Sequence, residues 1–407
     1  MTALTDPVRP GARFGVTLGG ANFGLQLVVN SVPHVLMALQ IQDMDPAHKE
    51  IRLGVATAVA ALLVAVAQPL WGVLSDRSRS RFGRRTPFVL GGALMTAAGL
   101  LALSASDTYT GLLIAWCATT VALTAVQATL MAALPDRVPV SARGVFAAAA
   151  GLGGTLGALG GQILFAKLVG GGYLLPYAVA AIIVAGSAGL FVWLNPEPPA
   201  EPSPRPKFSL RSLWVNPVEH PDFAWVFLSR MFVLTGFFMV NGYLLYILAD
   251  HLGLGRDRAL HRLPLVSMVS VVTVVIALAI AGVWSDRVGR RKPFVFWSAV
   301  LMAVGLTVTE FATSIPAVVV CIVVIALGYG TFRAIDEALI TLVLPATDSA
   351  GQYIGIAHLS THLANAAAPA IAGVTIAFAG GYAVFFPLAG ALALVGALCL
   401  LPLRSVR

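Results

Sequence analysis

The chain has 407 residues, of which 58% are hydrophobic and 11% are charged, and its mean hydropathy is +0.86. Soluble domains carry about 25% charged residues, so this composition excludes a soluble protein and predicts a chain that crosses a membrane many times. The formal net charge is +8. Because the basic residues lie in short loops between apolar stretches, membrane topology explains this charge better than nucleic-acid binding does.

Twelve apolar stretches have roughly the 20-residue length that crosses a bilayer core of about 30 Å. These spans cover residues 14–39, 52–75, 87–105, 109–133, 144–168, 173–194, 223–249, 262–284, 293–312, 316–343, 353–378 and 382–402. A proline-rich segment after the sixth span cannot be helical and predicts an extended linker. We therefore predict an all-α integral membrane protein with an N-terminal six-helix half (1–194), a cytoplasmic linker (195–221) and a C-terminal six-helix half (222–407).

The distribution of Lys and Arg predicts the orientation in the membrane. Eighteen of the 26 basic residues fall on the side that holds both termini and the linker, six fall on the other side, and Arg230 and Arg333 lie within spans. Basic residues concentrate in cytoplasmic loops. We expect a multi-pass protein of the inner or plasma membrane with both termini in the cytoplasm.

Two basic islands share one pattern, G-x-x-S-D-R, a short spacer and G-R-R-x-P-F. They cover residues 72–88 and 282–294, at an offset of 210 residues. The dipeptide Leu-Pro recurs at 134 and 344 with the same offset, and Asn30 corresponds to Asn241 at an offset of 211. The chain is thus an internal repeat of two six-span halves, a layout found in secondary transporters.

These islands resemble the signature loops of the major facilitator superfamily. The run S-D-R…R-F-G-R-R-T-P-F at 75–88 is more narrowly similar to sucrose–proton symporters and to the glycoside–pentoside–hexuronide:cation symporter group, as are L-P-D-R-V-P at 134–139 and A-I-D-E-A-L at 334–339. The resemblance implies a major facilitator fold of two pseudo-symmetric halves and a cytoplasmic gate in the islands. Gly72 is expected to permit close helix approach, and acids and arginines of both islands to form the latch. The gate residues are Gly72, Asp76, Arg84, Arg85, Gly282, Asp286, Arg290 and Arg291.

Charged side chains within membrane spans are costly unless they are paired or hydrated, so they indicate functional sites. Asp336 lies eight residues before Leu344, about 12 Å inside the end of span 10 at 1.5 Å per residue. Arg230 of span 7 lies at a similar depth and is an expected partner. The hypothesis is that Asp336 or Glu337 exchanges a proton, and the alternative is a static ion-pair network. The proton-coupling candidates are Asp336, Glu337, Arg333, Arg230, His358 and His362.

Polar side chains within spans also predict a solute cavity. Span 1 carries amides and an imidazole at four-residue steps on one slowly winding face, and by resemblance spans 1, 4, 7 and 10 line the central cavity. Amides both donate and accept hydrogen bonds, which suits hydroxyl-rich solutes. The alternative is hydrogen bonding between helices. The cavity candidates are Asn22, Gln26, Asn30, His34, Gln127, Asn241, Tyr243, Tyr246 and Asn365.

The sequence predicts a transporter rather than an enzyme, since it contains no catalytic triad and no phosphate loop. We expect proton-coupled symport of a small polar solute, most simply a sugar. Proton-coupled efflux of a small organic molecule and a non-transporting membrane sensor are the alternatives. The expected partners are the solute and the lipid bilayer, without nucleic acid, in a monomer. We expect no metal and no cofactor other than a proton gradient.

Overall fold

The computed structural model describes residues 11–139, 142–197, 220–288, 291–343 and 350–403. Within these ranges the regular structure is helical and no β-strand occurs, which confirms the all-α prediction. The helices of the first half are α1 (Ala12–Ser31), α2 (Ala38–Met44), α3 (Lys49–Arg77), α4 (Thr86–Ser104), α5 (Tyr109–Arg137), α6 (Arg143–Leu168) and α7 (Leu174–Leu194). Those of the second half are α8 (Pro221–Gly242), α9 (Leu244–Tyr246), α10 (Gly255–Val288), α11 (Arg291–Val308), α12 (Ile315–Val343), α13 (Ala350–Phe378) and α14 (Tyr382–Leu398).

Eleven helices of the described ranges are long and apolar enough to cross a membrane, and the apolar helix α14 is a shorter twelfth. They correspond in order to the twelve predicted spans. Helix α10 begins at Gly255, earlier than the predicted start at 262, and contains Pro264. Proline is tolerated in membrane helices because neighbouring groups satisfy the backbone carbonyl that it leaves without a donor.

Spans 1 and 7 each change helix type toward their C-terminal end. In span 1, Pro33 lacks the N–H needed for an α-helical hydrogen bond, and the chain forms a π-helix over Val32–Met37 before α2. In span 7, α8 ends at Gly242, and a π-helix over Ile247–His251 follows α9. Short π segments inside helices occur frequently at functional sites.

The contacts divide the chain into two compact units. The first contains Met1–Ala47 and Leu63–Lys207, and the second contains His48–Leu62 and Phe208–Arg407. Helix α3 therefore contributes to both units. The limits that the sequence predicts for the halves and the linker stay a prediction, since residues 198–219 lie outside the described ranges.

Within the first unit, α1 packs on α6 and α7, and α4 packs on α5 and α7. Within the second unit, α8 packs on α13 and α14, and α11 packs on α12 and α14. Each of these four pairings matches the pairing of the corresponding spans in the other unit. The internal repeat is therefore a repeat of helix packing as well as of sequence.

The glycines of α6 allow its close contact with α1. A methyl group at Gly153 would overlap the backbone of Gly19, and one at Gly157 would overlap the backbone of Phe23. At the same contact, the Ser31 hydroxyl donates to the Ala158 carbonyl at 3.0 Å. Small residues at membrane helix interfaces have this packing role.

Candidate functional site

The second unit contains a buried ion pair between α8 and α12. The Nη1 atom of Arg230 lies 3.0 Å from Oδ2 of Asp336, and the two side chains are 1% and 2% exposed. The Nε atom of Arg230 donates to the hydroxyl of Thr361 on α13 at 3.1 Å. One guanidinium thus links three helices, through an ion pair with Asp336 and a hydrogen bond to Thr361.

Two of the other four proton-coupling candidates can be located relative to this pair. Arg333 is half-buried on α12, three residues before Asp336, and His362 is half-buried on α13 beside Thr361. The side chains of Glu337 and His358 lie outside the described part of the chain. The partnership of Arg230 with Asp336 is observed, whereas proton exchange stays a prediction.

An aromatic pair lies two helical turns from the ion pair. The rings of Phe237 and Tyr329 stack with centroids 3.8 Å apart and planes inclined by 4°. Phe237 follows Arg230 by seven residues on α8, and Tyr329 precedes Asp336 by seven residues on α12. Seven residues make about two helical turns, so on each helix the ring and the charged residue lie on the same face. The antiparallel helices α8 and α12 therefore contact each other through both the ion pair and the aromatic pair. The sequence analysis missed both rings, since aromatic residues in an apolar span carry no distinguishing pattern.

Hydrogen bonds link three of the four polar stripe residues of span 1, Gln26, Asn30 and His34. Asn30 donates to the Gln26 side chain at 3.0 Å, and His34 Nδ1 lies 2.6 Å from the Asn30 carbonyl oxygen. Asn22 donates to the Leu18 carbonyl of its own helix at 2.9 Å. All four stripe residues are half-buried. Partial exposure of this kind is what residues that contact a solute require.

The remaining cavity candidates differ in exposure. Gln127 on α5 is half-buried, and Asn241 and Asn365 are exposed. Tyr243 and Tyr246 are each only 1% exposed, with ring centroids 6.0 Å apart. The Tyr243 hydroxyl donates to the Glu50 carbonyl oxygen at 2.7 Å, so this tyrosine is engaged in packing in this structure. Whether these residues contact solute stays a prediction.

The first basic island contains a dense ion cluster within the first unit. Arg85 and Arg84 lie 2.5 Å and 2.7 Å from the same oxygen of Asp136, at the end of α5. Arg85 is also 3.5 Å from Asp76, whose side chain is 41% exposed. Asp136 is thus the main acceptor of both guanidiniums. The sequence analysis assigned the gate acid to Asp76 and omitted Asp136, although L-P-D-R-V-P at 134–139 contained the signal.

A second acid, Glu197, completes this island cluster. Its carboxylate accepts from the backbone N–H groups of Arg85 at 2.7 Å and Thr86 at 3.2 Å, at the start of α4. A carboxylate at a helix N-terminus is favoured by the unsatisfied donors and by the helix dipole. Arg137 lies 3.9 Å from Glu197 and donates to the Asn195 carbonyl at 2.9 Å. Burial lowers the pKa of Arg137, while Glu197 and Asp136 act in the opposite direction.

Gly72 and Gly282 of the two islands lie in open surroundings among the described residues. A methyl group at Gly72 or at Gly282 would meet no atom within 4 Å among the described residues. The role of Gly72 in a close helix approach stays a prediction. Arg291 is half-buried, and Lys292 donates to the carbonyls of Leu401 and Leu403 at 3.0 and 2.7 Å. The Asp286 side chain and Arg290 lie outside the described part of the chain.

The described residues contain no group of three or more His, Cys, Asp or Glu side chains that could hold a metal ion. Their ion pairs instead join carboxylates to arginine or lysine side chains.

The chain matches a family of MFS/sugar transport proteins over residues 49–403. It belongs to that family. The protein is thus a multi-pass membrane transporter of the major facilitator type and not an enzyme, as the sequence predicted. No curated protein sequence matches the chain.

Solved structures share the fold at low sequence identity. A D-xylose–proton symporter is 19% identical, with a TM-score of 0.67 over 97% of both chains. The nucleoside transporter NupG is 11% identical, with a TM-score of 0.74 over 97% of this chain and 100% of its own. A bacterial homologue of the human lysosomal transporter Spinster is 12% identical, with a TM-score of 0.71 over 96% and 94% of the two chains.

Proposed function

We propose that this transporter is a proton-coupled symporter that imports a sugar-like polar solute. The observation that carries the proposal is the ion pair of Arg230 and Asp336, with both side chains at most 2% exposed. Transferring two charges from water into the protein interior costs several kcal/mol for each ion. A pair of apolar residues of similar volume often gives an equal or higher stability than a buried ion pair. An ion pair inside membrane helices is therefore better explained by a role in transport.

In this proposal a proton is exchanged at the carboxylate of Asp336. Protonation removes the negative charge and weakens the attraction of the carboxyl group for Arg230. The guanidinium keeps its hydrogen bond to Thr361 and presents its other donors to a new acceptor. Deprotonation restores the ion pair. The two arrangements give the second unit two states whose populations a proton and a solute can shift together.

The proposed solute is hydroxyl-rich and contains a ring. The chain of Gln26, Asn30 and His34 supplies amide and imidazole groups that donate and accept hydrogen bonds. The family description, MFS/sugar transport protein, supports a sugar. Two similarly folded proteins are a D-xylose–proton symporter and a nucleoside transporter, whose substrates belong to the same chemical class.

The proposal places the protein in the inner or plasma membrane as a monomer, with both termini in the cytoplasm. The excess of Lys and Arg on that side supports this orientation. It requires a proton gradient and lipid, and neither an organic cofactor, a metal nor nucleic acid.

Purified protein in proteoliposomes tests the proposal through solute-driven proton movement. A panel of labelled monosaccharides, disaccharides and nucleosides is added outside vesicles that contain a pH-sensitive dye, with cationic dyes as the efflux panel. Symport predicts that one sugar-like solute acidifies the lumen as it enters. Proton movement opposite to the solute would instead indicate antiport efflux. A solute that binds without crossing the membrane and without moving protons would indicate a sensor.

A further inference from the structure

Hydrogen bonds along span 1 fix the direction in which the Asn30 amide points. Its Nδ2 atom donates to the side-chain oxygen of Gln26 at 3.0 Å and to the Gln26 carbonyl oxygen at 3.2 Å. These two acceptors are enough for both hydrogens of the amide, so the group has only its oxygen Oδ1 left for a further partner. No described residue donates to that oxygen. Asn30 therefore presents a hydrogen-bond acceptor.

The same bond gives the Gln26 side chain the opposite polarity. Because its oxygen accepts from Asn30, its Nε2 group is the end that remains to donate. The stem of the side chain is confined by α6, since a methyl group at Gly154 would lie 3.1 Å from Gln26 Cγ. Gln26 therefore presents hydrogen-bond donors from a position that packing and the bond to Asn30 both restrict.

His34 is held as one tautomer of the imidazole ring. Its Nδ1 atom lies 2.6 Å from the Asn30 carbonyl oxygen. A carbonyl oxygen can only accept a hydrogen bond, so Nδ1 carries the hydrogen, and Nε2 of the neutral ring is then an acceptor. The segment 14–42 contains no Asp or Glu, so span 1 supplies no carboxylate that would favour the charged ring. His34 therefore presents a second acceptor, one turn beyond Asn30.

We propose that span 1 recognises its solute through a fixed order of hydrogen-bonding groups, a donor at Gln26 followed by acceptors at Asn30 and His34. The three residues follow at four-residue steps on one face of the helix. A solute that satisfies the two acceptors must bring two hydrogen donors, as the hydroxyl groups of a neutral sugar or polyol do. The oxygens of a carboxylate or phosphate group would face these acceptors and leave them without a partner.

This inference rests on the proposed transport of a hydroxyl-rich solute and narrows that class. It selects neutral polyols with free hydroxyl groups over sugar acids and sugar phosphates. It does not depend on Asp336 or on proton coupling, because it concerns only the polarity of the groups that contact the solute.

Sugar analogues test the order of donors and acceptors. D-Glucose, D-xylose and sucrose are compared with their monodeoxy and deoxyfluoro analogues and with D-glucuronic acid, and affinity is measured from the protection of the full-length protein against thermal unfolding in detergent. Fluorine is close in size to a hydroxyl group but donates no hydrogen. At two hydroxyl positions of the sugar that binds, we expect both the deoxy and the deoxyfluoro analogue to bind at least about tenfold more weakly, because each leaves an acceptor unpaired.

Three outcomes would overturn the inference: deoxyfluoro analogues that bind like the parent sugar, glucuronic acid that binds as tightly as glucose, or a protein that binds none of the sugars. The failure of symport gives a different result. If the fluorine-sensitive positions are found but the bound sugar moves no proton in proteoliposomes, the proposed function is wrong and the recognition pattern stands. If uptake is proton-coupled but insensitive to fluorine substitution, the reverse holds.

Two variants of His34 separate recognition from packing. The glutamine amide can place its oxygen where Nε2 lies, whereas the shorter asparagine amide reaches only the place of Nδ1. We expect His34→Gln to retain the parental affinity within about threefold and His34→Asn to lose at least about tenfold. In His34→Asn, one of the two fluorine-sensitive positions should also become insensitive, which a loss of packing alone would not cause.

A matched control replaces His261, which is exposed on α10. His261→Asn should bind the sugar and its fluorinated analogues like the parent protein. If His34→Asn does not fold, His34→Gln still decides, because it must keep both fluorine-sensitive positions. Loss of either position in His34→Gln, or equal affinities of the Gln and Asn variants for the sugar, would overturn the role of His34 as an acceptor.

Discussion

Arg230 and Asp336 approach to 3.0 Å across two helices with almost no exposure to solvent, and the arginine extends the link to Thr361 on a third. The pair is formed by residues 106 positions apart in the sequence. With the hydrogen bond to Thr361, the pair joins α8, α12 and α13. Burying either charge there without the other would carry a large desolvation cost. Its energetic consequences can be measured separately from transport.

Removing one charge of this pair should be worse than removing both. Arg230→Met leaves the Asp336 carboxyl buried without its guanidinium, and we expect a loss of about 3–5 kcal/mol in the free energy of unfolding, typical of broken buried pairs. The combined variant Arg230→Met with Asp336→Leu should recover most of that loss. Thermal unfolding of the parent, the two single variants Arg230→Met and Asp336→Leu, and the double variant in one detergent checks this. A double variant less stable than either single variant would contradict it.

In the island cluster, Asp136 should matter more to stability than Asp76. Asp136→Asn weakens charge-assisted contacts to both Arg84 and Arg85, and Arg85 is buried. We expect a cost of about 1.5–3 kcal/mol, the range for hydrogen bonds to charged groups. Asp76→Asn removes one long contact of an exposed carboxylate and should cost less than about 1 kcal/mol. The melting temperatures of the two isosteric variants test this prediction. A larger loss for Asp76→Asn than for Asp136→Asn would show that Asp136 is not the main acceptor of the two arginines.

A large side chain should lower stability at one glycine of α6, where α6 contacts α1, and leave stability unchanged at another. A side chain at Gly157 would meet the Phe23 backbone, whereas one at Gly151 would meet nothing within 4 Å. Gly157→Leu should lower the free energy of unfolding by about 1–3 kcal/mol, the usual cost of overpacking. Gly151→Leu is the matched control on the same helix and should leave stability near the parental value. Similar melting temperatures for both variants would show that the close approach is not required.

Much of the architecture could be predicted because it depends on local composition. Apolar length determines the spans, and the repeated islands 72–88 and 282–294 reveal the two halves. Arg230 and Asp336 stood out because charge is rare in apolar spans. Their pairing could be anticipated from depth alone, but the bond to Thr361 could not, since a threonine in a membrane helix has no distinctive environment in sequence.

Other features depend on three-dimensional packing that sequence patterns do not encode. Asp136 and Glu197 reach the first island from 51 and 112 residues beyond Arg85, so proximity in sequence favoured Asp76 instead. The division of α3 between two units has no sequence signal, because the helix is uniformly apolar across the boundary at Leu62. The function of the stripe Asn22 to His34 stays a prediction, as does the substrate.

The most direct test of the central claim is to compare proton-driven uptake with counterflow for the Asp336→Asn protein, using the solute identified in the vesicle panel. Asparagine keeps the shape of the side chain but cannot exchange a proton in this range. If Asp336 is the coupling site, accumulation driven by a proton gradient is lost, while counterflow, which requires only binding and conformational exchange, continues. If proton-driven uptake and counterflow both persist unchanged, Asp336 does not couple transport to protons.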